Sequence, residues 1–290
     1  MRLLAVPVLL AALLAGCSSQ SPAPAPAASA PAGQAGQATA LDPVALIGNW
    51  LVTGTDEKEG TILRLAGEPR ELALWRSCGM LSGSWRANDV GLFVGDVAGY
   101  SVCQPPPADQ QWTPGWLARV TGYRLDGEAR ELLDVSGEVV ARLLPGGEPV
   151  VPNPKLISPD LAKKPEVTDA ARRALAPAAP LPAGLTPATR DSLAGRWVAA
   201  DGVKRPNEAS LDLKTDGTWS GSDGCNGSRG RWVAGAGGTL LATSGPTTLI
   251  ACGNFSGPSW LSEARRAAID GDHLILFDSA GKELGRLKHG

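Results

Sequence analysis

Four cysteines carry the chemistry that this chain can most plainly do. Cys78 and Cys103 stand 25 residues apart, and Cys225 and Cys252 stand 27 apart. No CxxC occurs and there are only 2 histidines, which argues against a zinc site. Two pairs of near-equal spacing predict two disulfides, Cys78 with Cys103 and Cys225 with Cys252, in an oxidising compartment. A redox-active dithiol lacks its usual signature here, a close second cysteine or a neighbouring histidine. Tryptophan is the second unusual feature, supplying 9 of the 14 aromatic residues.

Catalytic sets are scarce. A Ser-His-Asp arrangement would have to use His273, because His289 lies one residue from the end. Asp223 and Glu263 could form a carboxylate pair. No GxSxG, HExxH or phosphate-binding loop is present. The expectation is a non-enzymatic protein with no cofactor and no metal. A formal net charge of −2 gives no basic field for nucleic acid.

The cysteines lie in a motif that occurs twice. Trp219 to Trp232 contains Cys225, Asn226 and Gly230, and Arg76 to Trp85 contains Cys78 and Gly83. Cys78, Gly83 and Trp85 match Cys225, Gly230 and Trp232 at one offset of 147 residues. Further on, Trp116, Gly127, Asp134 and Gly137 match Trp260, Gly271, Asp278 and Gly281 at an offset of 144. The starts also match, Gly48-Asn49-Trp50 with Gly195-Arg196-Trp197. This order predicts two related domains, at residues 41–145 and 193–290, each pinned by its own cysteine pair.

The matched tryptophans, Trp50/Trp197, Trp85/Trp232 and Trp116/Trp260, read as core. Trp75, Trp112 and Trp219 have no counterpart, which makes them the candidate ligand platform, for instance for a carbohydrate. Asn226, beside its cysteine, is the other candidate binding residue, although such a side chain commonly bonds backbone within its own turn.

The elements around these residues are short strands. Thr61 to Leu65, Glu71 to Trp75, Gly79 to Arg86, Gly91 to Val97 and Ser210 to Lys214 are β-prone, several alternating apolar and polar residues. Gly238 to Thr243 and Thr247 to Ala251 are also expected as strands. Hairpins close both domains, through Ser136-Gly137 and Ala280-Gly281. Helices are expected only at Gln111 to Val120 and Trp260 to Ala268. The fold class is therefore mainly β: two small antiparallel β-barrel-like domains, each with one short helix. Residues 146–192, rich in Pro and Ala, form the expected linker, in which Thr168 could cap a short helix up to Leu175.

The N-terminal segment, residues 1–17, has an apolar run from Leu3 to Leu14 that ends in Leu14-Ala15-Gly16-Cys17. It resembles a bacterial lipoprotein signal, which implies lipid attachment at Cys17 and anchoring of the protein to the cell envelope. Ser18 after the cysteine resembles proteins sent to the outer membrane, facing the periplasm where the cell is Gram-negative. Residues 18–40 are Ala- and Pro-rich and are expected to be a disordered tether.

Gly221-Ser-Asp-Gly224-Cys225-Asn226, then Gly230, then Thr248-Leu-Ile-Ala251-Cys252 resembles the META/HslJ-like family, as does the opening Leu193-Ala-Gly195-Arg-Trp197. The first domain keeps Trp50, Cys78 and Gly83, but has Gly79 in place of the motif's Asn, and so resembles a degenerate copy. The resemblance implies a small β domain of exported bacterial lipoproteins, associated with stress or antibiotic tolerance and without an established enzyme activity. Partners expected on this reading are the membrane, through the lipid, and an envelope protein or cell-wall polymer.

Overall fold

The computed structural model describes residues 40–103, 112–203, 207, 209–250 and 255–290. Cys17, Cys252 and the stretches 1–39, 104–111 and 251–254 lie outside the described residues.

Two antiparallel sheets account for most of the described chain. The first is built from β1 (Gly48–Thr53), β2 (Ile62–Leu65), β3 (Glu71–Arg76), β4 (Gly79–Ala87), β5 (Phe93–Ser101), β6 (Gly122–Asp126), β7 (Ala129–Leu133) and β8 (Val139–Pro145). Their order across the sheet is β5-β4-β3-β2-β1-β8-β7-β6. The chain thus runs as a meander from β1 out to β5, and a second meander returns to place β8 beside β1. A short helix, α1 (Gly115–Arg119), stands between the two edge strands in sequence. Its Trp116 and Leu117 are buried in the first core.

The second sheet repeats this plan. A two-residue helix-linked strand, β9 (Thr186–Pro187), and α3 (Arg190–Leu193) follow α2 (Asp169–Ala174), and then come β10 (Gly195–Ala199), β11 (Ser210–Leu213), β12 (Thr218–Ser222), β13 (Gly227–Ala234) and β14 (Leu240–Ala242). After α4 (Gly257–Glu263) the chain finishes with β15 (Arg266–Asp270), β16 (His273–Phe277) and β17 (Glu283–His289). The order is β14-β13-β12-β11-β10-β17-β16-β15-β9.

The expected mainly-β, two-sheet class is what the molecule has, but the barrels are not closed. Each sheet curls until its ends meet at one isolated bridge, Leu92 with Gly122 of the edge strand β6 in the first and Thr239 with Arg266 of β15, the neighbour of β9, in the second. A continuous ladder between the edge strands would be needed to close either barrel. Instead the short helix occupies the gap in the chain between them.

The matched landmarks of the sequence make matching bonds. Trp50 Nε1 donates to the Leu46 carbonyl at 2.8 Å, and Trp197 Nε1 to the Leu193 carbonyl at 2.8 Å. Asp134 Oδ1 accepts from the Ser136 and Glu138 amides in one hairpin turn, and Asp278 Oδ1 from the Ala280 and Lys282 amides in the other. Gly83 and Gly230 are glycines for a shared reason. A Cβ on Gly83 would overlap the Asp96 carbonyl, and one on Gly230 would overlap the Thr243 carbonyl. In both domains a neighbouring backbone lies where a side chain would go.

Three expected elements differ. Residues 266–270 are a strand, so the helix expected over Trp260 to Ala268 stops at Glu263. Ala267 and Ala268 have no helical period to defend, and pairing with β16 buries both. The Gln111 to Val120 helix contracts to α1 because Pro114 takes the N-cap position. Of the strand expected over Thr247 to Ala251, the described residues 247–250 pair with no described strand and are held by side chains instead.

Composition gives no sign of how residues 146–192 run. They pack along both sheets. Ile157 is buried against Ile62, Ala73, Trp75 and Met80 on the outer face of the first sheet. The helix α2, with Thr168 accepting from the Ala171 amide at its N-cap, sends Ala171 and Leu175 into the first core. Downstream, the Ala188 amide bonds the Ala267 carbonyl, so β9 is pinned to the second sheet.

Beyond this strap the two sheets also meet directly. Leu92 and Val94 of the first pack on Val233 and Leu241 of the second. Ser84 Oγ donates to the Ser244 carbonyl at 3.3 Å, and the Arg231 guanidinium donates to the Ala118 carbonyl.

Candidate functional site

The cysteine motif of the second domain builds a compact polar node. The strands β12 and β13 end in a turn where Asp223 Oδ1 accepts from the Cys225 amide at 2.7 Å and from the Asn226 amide. Asn226 then reaches across to the next segment. Its Oδ1 accepts from Thr248 Oγ1 at 2.6 Å and from the Ile250 amide at 2.8 Å. Its Nδ2 donates to the Ile250 carbonyl at 2.8 Å and to Asp223 Oδ2 at 2.8 Å. Both donors and both acceptor positions of the amide are thereby engaged. Asn226 clamps residues 248–250 onto the turn and has no bonding capacity left for a ligand. Burial works to raise the Asp223 pKa, but its bonds from the Asn226 side chain and backbone and from the Cys225 amide outweigh this and hold it below the usual carboxylate value.

Cys78 and Cys103 form a disulfide, with their Cα atoms 4.9 Å apart. Cys225 is disulfide-bonded as well. Its expected partner, Cys252, is outside the described residues, as is the expected lipid attachment residue Cys17.

The three unmatched tryptophans do not come together. Trp219 is 1 % exposed, and its Nε1 donates to the Thr243 carbonyl at 2.8 Å. Trp75 is 2 % exposed beneath Ile157, with its Nε1 unpartnered. Both are core residues, on opposite domains, so neither can serve as a ligand platform. Only Trp112 is half-buried, its ring tilted against Tyr100 at a centroid distance of 5.0 Å. Of the matched set Trp260 is partly buried. Trp50, 6 % exposed, lies under the Arg130 guanidinium, 4.8 Å from the ring centroid.

Trp50 and Arg130 line an open groove of about 830 Å³ where β1 meets the strap. Asn49 sits in its wall. Its Nδ2 donates to the Ala162 carbonyl at 3.1 Å, while its Oδ1 is buried without a partner. Lys164 and Arg172 add positive charge at the rim, against Asp42 and Glu148. Nothing in the sequence distinguished Asn49 as a site residue; the only signal was that the second domain carries Arg196 in its place.

The residues a hydrolase would need stand on different elements. His273 Nδ1 bonds Asp272 at 2.9 Å at the start of β16. Asp223 belongs to the motif turn, and Glu263 ends α4. Among the described residues no group of three His, Cys, Asp or Glu side chains is placed to hold a metal.

No curated protein and no solved structure matches this chain. A family model does match, over about a third of the 290 residues and none of the first sheet. The residues it covers hold α3, β10 to β17, α4 and the Asn226 node, and residues 191–290 thereby match the META domain family.

Proposed function

We propose that the protein is a lipid-anchored cell-envelope protein that acts by binding or by structural support, without catalysis, in tolerance of envelope stress or antibiotics. The META match over residues 191–290 is the observation that carries this reading. The Leu14-Ala15-Gly16-Cys17 motif supports the anchor, at the outer membrane facing the periplasm in a Gram-negative cell. The paired hydrogen bonds of Trp50 and Trp197, and of Asp134 and Asp278, support reading the first domain as a degenerate copy of the second.

Anchoring is tested by fractionation. Wild-type protein should sediment with membranes, and Cys17→Ser should be released or left unprocessed. Soluble, processed wild-type protein would overturn the anchor. The role is tested by deleting the gene and measuring sensitivity to detergent, heat and envelope-active drugs; unchanged sensitivity counts against stress tolerance.

A second reading is binding of a small envelope ligand, and the groove beside Asn49 favours it over the three tryptophans first considered. A buried acceptor with no partner is costly and is satisfied by a donor from a ligand or water. Pull-down on peptidoglycan should then weaken in Asn49→Leu and persist in Trp219→Phe.

A further inference from the structure

Three arginines gather where the two domains meet. Arg86 lies on β4 opposite Val94 of β5, so both side chains point from the same face of the sheet. Val94 is the residue that packs on Leu241 of the second domain. The neighbouring Leu240 amide bonds the Arg265 carbonyl, which places Arg265 on the far side of this contact. Arg70 precedes Glu71, and Glu71 pairs with Ser84, so Arg70 flanks the same end of β4.

Of these guanidiniums, that of Arg86 is poorly compensated. Arg86 Nε is buried without a hydrogen-bond partner. The remaining bonds of Arg86 and Arg265 go to carbonyls, the first to Trp85 and the second to Ser262, Glu263 and Ala264 at the end of α4. Glu68 lies near Arg70 and Arg86, and Glu263 and Asp278 near Arg265, but among the described residues none of these carboxylates hydrogen-bonds the three. Burial, with Arg70 and Arg265 adding repulsion, pushes the Arg86 pKa down to about 9. Burial first, then Arg70, brings Arg265 to about 10.

The fold does not demand this arrangement. In the matched register Val233 stands where Arg86 stands, and Thr121 where Arg265 stands. Three converging cations with an unused buried donor have the chemistry of an oxyanion site, since guanidinium forks match phosphate and carboxylate geometry.

We propose that Arg70, Arg86 and Arg265 form an oxyanion site between the two domains, which takes a phosphate or carboxylate group and locks the domains together when filled.

The test is calorimetry of the purified full chain in sodium phosphate, sodium citrate and sodium chloride at equal ionic strength. Phosphate or citrate should raise Tm by about 3 °C or more above chloride. Whichever of the two acts identifies the group that is bound. Because both salts also stabilise proteins by exclusion, the gain has to be Arg86-dependent. It should vanish in Arg86→Met and shrink in Arg70→Met. In chloride, Arg86→Met should be at least as stable as the parent, because a repelled cation is gone. Equal Tm in all three salts, or an undiminished gain in Arg86→Met, overturns the proposal. Should Arg86→Met not fold, an undiminished gain in Arg70→Met does the same.

Discussion

At the residue scale, the motif asparagine is a fastener. Asn226 makes four hydrogen bonds with its amide while only 8 % exposed. Asn226→Ala leaves the Ile250 backbone and Thr248 without these partners and should cost about 2–4 kcal/mol, measurable by urea unfolding. The clamp has a pH sign. Asp223 is depressed in the folded state, so its contribution is present above its ordinary pKa and is lost as the pH falls through the lower folded value. The stability gap between wild type and Asn226→Ala should therefore narrow in acid. Two tryptophans offer a paired test of the same kind. Trp75 Nε1 bonds nothing and Trp219 Nε1 bonds Thr243, so Trp219→Phe should cost about 1 kcal/mol more than Trp75→Phe. Equal losses would mean the indole bond contributes nothing net.

At the scale of elements, the disulfide and the strap hold what the small cores leave loose. Cys78 and Cys103 tie the turn between β3 and β4 to the end of β5. Closing a 25-residue separation should contribute about 3.5 kcal/mol in the chain-entropy model. Cys78→Ala/Cys103→Ala should therefore lower the unfolding free energy by that amount in a urea titration, and reducing agent should cost wild type more, because it opens the Cys225 bridge as well. The strap works through Ile157, which is 2 % exposed against the Trp75 cluster. Ile157→Ala should cost about 2–4 kcal/mol, where truncation in a free linker would cost nothing. An unchanged midpoint by thermal melt would show that residues 146–192 do not pack on the sheet.

At the scale of the whole molecule, the direct contact between sheets has an apolar patch, with Val94 and Val233 at 1 % and 3 % exposure. Val94→Lys places a charge there that neither side can pair. It should convert one calorimetric transition into two, as each sheet then melts by itself. A single sharp transition in that variant would mean that the strap alone couples the domains. The same contact carries the three arginines, so coupling of the domains and occupancy of the proposed anion site are one measurement seen from two sides.

The sequence by itself determined the local plan. Apolar alternation, turn residues and the two offsets marked both meanders and their hairpins, because each is set by residues close in the chain. The matched Trp50 and Trp197 were legible as core for the same reason: in each the ring turns back to a carbonyl four residues earlier. Only the tertiary structure decided what depends on distant partners. It put Trp75 and Trp219 inside, stopped the sheets short of closure and laid a Pro-rich segment against both domains. It also drew Arg70, Arg86 and Arg265 together across 195 residues of chain. Burial and like-charge crowding are sums over neighbours from separate strands, and no window of sequence contains those sums.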